Sequence, residues 1–176
     1  MTDPVDRATL VSIARDAIVA QVTGLRAEPS VDGELAERRG GVFVTVYCRR
    51  ELRGCIGHLR DDKPLVQAIA DCARAAASVD PRFPPIAAEE LQNVDVELSL
   101  LGGFETIQGP SEIEVGRHGV LVEHQGRRGL LLPQVATEWD WDAETFVART
   151  CQKAGLPLDA WKKGATLTRF EAEVFS

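Results

Sequence analysis

The sequence predicts an α+β fold, a single domain of two unequal lobes in which a mixed or antiparallel sheet is flanked by helices. Three observations lead there. Apolar residues recur at helical spacing in three separate segments, strand-like runs group between Leu91 and Leu132 instead of alternating regularly with helices, and the 176-residue chain is 44% hydrophobic, enough to bury one ordinary core. The domain is taken as residues 1–176, with the polar stretch Glu28 to Gly40 and the loop Pro81 to Pro85 as weak internal boundaries.

The opening helix is carried by Leu10, Ile13, Ala14, Ala17, Ile18 and Val22, with Pro4 suited to a first turn and Gly24 as a stop. Gly41 to Cys48 has the β-branched and aromatic content of a strand, and its nearly continuous apolar character predicts burial on both faces. Arg49-Arg50-Glu51 is a polar connection into Leu52 to His58, which is either a returning strand or a strand-to-loop transition. A second helix runs from Pro64 to Ser78, with Asp62 as its cap and an alanine-rich stripe suited to close packing.

Asp80-Pro81-Arg82-Phe83-Pro84-Pro85 cannot continue that helix, because each proline lacks an amide hydrogen and restricts its predecessor. Val94, Val96, Leu98 and Leu100 alternate with Asp95, Glu97 and Ser99, the pattern of a strand with one buried and one wet face. Val120 to Glu123 and Gly129 to Leu132 flank a hairpin turn at Gln125 to Arg128. A third helix follows from Ala143 to Ala154, capped by Asp142 and stopped by Gly155, and alternation of Phe170, Ala172 and Val174 marks a last strand.

Charge and cysteine usage exclude several function classes. Twenty Lys+Arg against 27 Asp+Glu give a net charge of −7, which disfavours nucleic acid or anionic membranes as partners of the whole surface. Met1-Thr2-Asp3-Pro4 does not read as a signal peptide, and no apolar run reaches the length of a membrane helix, so the expectation is a cytoplasmic protein. Cys48, Cys55, Cys72 and Cys151 form no CxxC pair and are expected as reduced thiols. Cys48, Cys55 and His58 lack zinc-ligand spacing, and neither a phosphate loop nor a GxGxxG fingerprint occurs, so no metal or cofactor is expected. Trp139, Trp141 and Trp161 read as packing anchors.

The run Leu52-Arg53-Gly54-Cys55-Ile56-Gly57 resembles the signature hexapeptide of the AMMECR-type domain family, also called AmmeMemoRadiSam system protein A. Asp80-Pro81-Arg82-Phe83-Pro84, Glu97 to Leu101, Gly116-Arg117-His118-Gly119, Leu131 to Ala136 and Lys153-Ala154-Gly155-Leu156 are similar to segments of its prokaryotic members, in the same order. The resemblance implies two unequal subdomains with the signature near a cleft. It also implies a Memo-like protein and a radical-SAM protein as partners.

Cys55 is the candidate nucleophile or substrate-binding thiol, with Arg53 placed to favour its thiolate and Gly54 and Gly57 leaving space for a ligand. On a straight strand, residues 53 and 55 share a face. His118 is the preferred proton carrier over His58 and His124, and Asp80 and Arg82 are candidate substrate-binding residues in a rigid loop. Two readings stay open: an enzyme working through Cys55, or a non-catalytic adaptor or ligand-binding module in which Cys55 is a small buried side chain.

Overall fold

The structure is a computed structural model that describes residues 2–25 and 28–176. The signal-peptide reading began at Met1, which lies outside the described residues. The chain divides into two compact units: the residues up to Leu101 together with Glu173–Ser176, and Gly102–Ala172. The division falls within a long strand, at Leu101/Gly102, rather than at either boundary expected from the sequence.

In chain order the elements are α1 (Pro4–Thr23), α2 (Glu34–Glu37), β1 (Gly41–Cys48), β2 (Glu51–His58), α3 (Leu65–Ser78), β3 (Val94–Ile107), β4 (His118–His124), β5 (Arg127–Leu131), α4 (Pro133–Glu138), α5 (Ala143–Lys153) and β6 (Thr166–Phe175). Six strands are hydrogen-bonded in the order β2-β1-β3-β6-β4-β5. The pairs β1/β2, β1/β3, β4/β5 and β4/β6 are antiparallel. The α+β class expected from the sequence is the observed one.

In the first unit the core forms where one face of β1 meets α1 and α3. Val42, Val44 and Val46 point from β1 into a cluster with Leu10, Ala14 and Ile18 of α1 and Ile69 and Ala73 of α3. α1 starts where the Asp3 carboxylate accepts the Val5 amide hydrogen, and it ends at Gly24, whose φ of 75° suits a residue without Cβ. α3 begins one residue after the expected start and is not capped by Asp62, because that carboxylate is taken by His58 Nε2 at 2.6 Å. The Arg38 carbonyl instead accepts the first helical amide, from Leu65, at 2.7 Å.

β1 and β2 form a hairpin closed by two residues, since Cys48 pairs with Glu51. Both loop residues have left-handed backbones, Arg49 at φ 51° and Arg50 at φ 69°. That is the geometry of a type I′ turn, which fits strand twist but favours Asn-Gly over arginine.

The second unit packs Phe146, Val147 and Cys151 of α5 against Val120 and Val122 of β4 and Leu167 of β6. Asp142 caps α5 as expected, its carboxylate accepting the Thr145 amide at 2.7 Å. β6 departs from simple alternation: Leu167, Phe170 and Phe175 are buried while Val174 is exposed. The strand runs from one unit to the other, so its buried face is not set by a single core.

Candidate functional site

β2 is an edge strand, and Cys55 sits in its middle with its peptide held from outside the sheet. The Cys55 amide donates to Asp80 Oδ2 at 2.9 Å, and its carbonyl accepts from the Arg82 guanidinium at 3.2 Å. An Asp-Pro-Arg segment thus supplies the acceptor and donor that a neighbouring strand would supply. Asp80 is only 4% exposed and is joined to Arg82 by two parallel bonds, Nε to Oδ1 at 3.0 Å and a terminal nitrogen to Oδ2 at 2.7 Å. The Arg82 side chain, and after it the Cys55 and Arg82 amides, holds the Asp80 carboxyl well below the usual carboxylate range despite burial.

Arg53 lies at a bulge. Val46 pairs with Gly54 and Tyr47 with Leu52, leaving Arg53 as the extra residue on β2. The bulge breaks the straight-strand relation between residues 53 and 55. The Arg53 guanidinium binds Glu90 in a two-pronged pair, at 2.9 and 3.0 Å, and also donates to the Pro84 carbonyl at 3.3 Å. Arg53 in turn brings the Glu90 carboxyl down to about 2. The proline-stiffened loop is therefore tied to β2 at both Arg53 and Cys55. Beside the Arg53–Glu90 pair is a polar pocket of about 530 Å³ whose lining includes Cys48, Arg49, Arg53 and Glu89.

The glycines of the signature serve opposite faces of the sheet. A Cβ on Gly54 would lie 2.1 Å from the Ala76 carbonyl oxygen, so α3 crosses β2 in backbone contact there. On Gly57 a Cβ would meet the Phe43 ring at 2.4 Å. Cys55 shares the Phe43 face, because it pairs directly with Thr45, and Thr45 pairs on its other side with Glu97 of β3. The Thr45 hydroxyl donates to Cys55 Sγ at 3.4 Å.

This Cys55–Thr45–Glu97 row is drier than the alternating pattern of β3 predicts. Glu97 is half-buried, its neighbour Ser99 is 1% exposed, and burial raises the Glu97 pKa above the ordinary value. The other thiols differ in setting. Cys72 and Cys151 are buried in the two cores, and burial pushes the Cys72 thiol up to about 11. Cys55 is half-buried instead, and its sulfur accepts from the Thr45 hydroxyl.

The structure thus brings Arg53, Gly54, Cys55, Gly57, Asp80 and Arg82 together in the first unit. His118 belongs to the second unit, at the start of β4. It is buried, and its Nδ1 accepts the Glu114 amide at 3.0 Å, which leaves the proton of the neutral ring on Nε2. His58 is engaged by Asp62, and His124 ends β4 opposite Arg127. Among the described residues no group of three or more His, Cys, Asp or Glu side chains is arranged to hold a metal ion. No helix among them is long and apolar enough to cross a membrane.

Thr45, Glu90 and Glu97 were missed as site residues by sequence reasoning. The only sequence signal for Glu97 was its place in a segment similar to family members. Thr45 and Glu90 gave none, because their roles arise from strand pairing and from a contact 37 positions away in sequence.

A family model described as AMMECR1 matches residues 11–175. A protein of Methanothermobacter thermautotrophicus is 48% identical, covering 95% of this chain and 92% of its own length. Protein PF1979 of Pyrococcus furiosus is also 48% identical, over 94% of this chain and 85% of its own. The crystal structure of the uncharacterized protein PH0010 from Pyrococcus horikoshii superimposes with a TM-score of 0.89 at 42% identity, covering 98% of this chain and 91% of that one.

Proposed function

The chain belongs to the AMMECR1 family, and from that premise we propose that Cys55 is the ligand-contacting thiol of a site on the Phe43–Thr45–Glu97 face of the first unit. The observation that carries this reading is the fixing of Cys55 at three points: its amide by Asp80, its carbonyl by Arg82 and its sulfur by Thr45. A thiol held this way meets an electrophilic or thiol-seeking ligand in one orientation, which is what positioning contributes to a nucleophile or a binding group. The space over Gly57 is filled by the Phe43 ring, and Glu97 is the half-buried acid of the same face. In this reading Arg53, Asp80 and Arg82 are positioning residues, since their charges are engaged with one another or with Glu90.

A second reading is favoured by that same engagement. Because Arg53 is already paired and the Cys55 amide is already bonded, neither is left to hold a developing oxyanion. The chain would then act as a binding module, with a Memo-like protein and a radical-SAM protein as its partners.

Alkylation of Cys55 by iodoacetamide, followed against pH and resolved by peptide mass, separates the two. On the first reading Cys55 reacts faster than the half-buried Cys48. Asp80→Ala and Thr45→Val alter its rate or pH profile, while Cys55→Ser abolishes the signal. Glu97→Gln tests whether the half-buried acid of the same face moves the proton. A Cys55 that reacts no faster than an ordinary thiol and is indifferent to Asp80→Ala would leave the module as the surviving reading. Recovery of Memo-like or radical-SAM proteins undiminished by Cys55→Ser would support it.

A further inference from the structure

The polar pocket of about 530 Å³ beside the Arg53–Glu90 pair is not the ligand face proposed at Cys55. It lies where the β1/β2 turn meets the short 3-10 helix Ala88–Asn93, and those two segments are tied together twice. The Arg49 amide donates to the Asn93 carbonyl at 3.2 Å, and the Arg53 guanidinium holds Glu90 in its two-pronged pair. The volume is that of a small-ligand pocket and is ample for a molecule the size of an amino acid.

The charged side chains of its lining fall into two groups. Arg53 and Glu90 satisfy each other. Arg49, Glu51 and Glu89 are exposed and make no side-chain hydrogen bond or ion pair among the described residues. The pocket thus offers one unengaged cation and two unengaged anions, and Gln92 and Asn93 add amides able to donate or accept. Arg50, next in the turn, and Asp95, on β3 opposite Tyr47, stand outside the lining and carry opposite signs, so they leave that balance as it is. Unpaired charges on an open surface are ordinarily just hydrated. Here all three line one concavity, and Arg49 keeps its place at φ 51°, a left-handed backbone that Asn or Gly adopts more readily. No internal contact of its side chain accounts for an arginine at that position, whereas a ligand for its guanidinium does. Glu51 pairs directly with Cys48 across the hairpin, so the half-buried thiol stands beside that carboxylate.

We propose that this pocket binds a free basic amino acid, whose α-carboxylate meets Arg49 and whose α-ammonium and side-chain cation meet Glu51 and Glu89. Such a molecule carries one negative and two positive groups, the reverse of what the pocket leaves unengaged. A carboxylate ligand suits the planar fork of a guanidinium, and ammonium groups suit carboxylates, which only accept. A simple anion would leave both glutamates unanswered, and a simple diamine would leave Arg49 so. The Arg53–Glu90 pair acts as a fixed wall rather than as a ligand contact, because its donors and acceptors are already used on each other.

The test titrates the full chain by calorimetry with L-lysine and L-arginine, and with three compounds that each lack one charged group of lysine. Norleucine lacks the side-chain cation, Nα-acetyl-lysine the α-cation and cadaverine the carboxylate. The expected result is saturable binding of lysine or arginine, with each of the three controls about tenfold weaker, the effect of one charge-assisted contact. Arg49→Gln should weaken lysine about tenfold and leave cadaverine unchanged, whereas Glu89→Gln should weaken both. Lysine should also slow iodoacetamide labelling of Cys48 and not that of Cys55, and Cys55→Ser should bind lysine as the unaltered chain does. Arg49 and Glu89 are exposed, so thermal melts should show both variants folded. Cadaverine binding as tightly as lysine would overturn the proposal, since the pocket would then be only an acidic surface that collects polycations. So would indifference of lysine binding to both substitutions, or no saturation by either amino acid up to about 10 mM.

Discussion

Replacing Gly54 by alanine is expected to destabilise the first unit far more than the same change at Gly57. At Gly54 the new methyl would sit 2.1 Å from the Ala76 carbonyl oxygen and 2.9 Å from its carbon. Ordinary carbon-to-oxygen contacts begin at about 3.3 Å, so β2 and α3 must separate by about 1 Å. The obstacle is helix backbone, which no rotamer change removes. A gap of that size forfeits up to about half of the dispersion attraction between the separated surfaces. Adding this to the usual 1–3 kcal/mol for an overpacked core gives a loss of about 3–4 kcal/mol. At Gly57 the obstacle is the Phe43 ring, a half-buried side chain able to turn aside, and the expected loss is about 1 kcal/mol.

Urea unfolding checks this, with a slope of about 2 kcal/mol per molar expected for a chain of this size. The midpoint should fall by about 1.5–2 M for Gly54→Ala and by about 0.5 M for Gly57→Ala. Far-ultraviolet circular dichroism is the appropriate probe, because Trp139, Trp141 and Trp161 all lie in the second unit and would not report directly on the first. A midpoint for Gly54→Ala equal to or above that of Gly57→Ala would refute the claim that α3 rests on β2 backbone at this position.

Two more predictions concern charge and backbone. Pairing with Arg53 brings the Glu90 carboxyl down to about 2 from 4.5, so its contribution is complete above about pH 4.5 and disappears as pH falls through the folded value. Glu90→Gln should therefore cost about 1–2 kcal/mol near neutrality, allowing for partial solvent screening, and almost nothing near pH 2; a gap that stays constant with pH would refute the assignment. Changing Arg49-Arg50 to Asn-Gly should raise stability by about 1–2 kcal/mol, because both positions are left-handed and arginine is strained there. An unchanged or lower urea midpoint would mean that Arg49 and Arg50 make contacts worth as much as the strain.

What the sequence made legible was local. The limits of β1, the Gly24 stop of α1 and the Asp142 cap of α5 follow from residue periodicity and capping chemistry, and the structure has them; of the two alternatives open for the signature it has the returning strand. What it hid depended on register and distance. The bulge at Arg53 is invisible without the pairing of Val46 and Tyr47, yet it is what frees Arg53 from the straight-strand relation to Cys55. Glu97 reads as a wet-face residue because alternation reports the side of a strand, not what else covers it. Asp62 has the right spacing for a helix cap, and only the nearness of His58 in the fold gives it another task.

On the proposed function, the clamp on Cys55 does more than protect a sheet edge. An edge strand can be guarded cheaply by a lysine, a proline or a bulge, none of which requires burying a charge. Here a carboxylate is nearly withdrawn from solvent and satisfied by two amides and a guanidinium. Burying a charge is costly even when it is paired, and what it returns is fixed geometry rather than net stability. The rigidity is spent on the peptide unit of Cys55, whose sulfur faces Thr45 on the half-dry side of the sheet. That allocation favours a thiol whose position matters to a ligand, and it makes the Asp80→Ala alkylation profile more informative than stability data on the same variant. An effect on stability alone would mean that the clamp serves only the edge; a changed thiol profile would mean that it serves the sulfur.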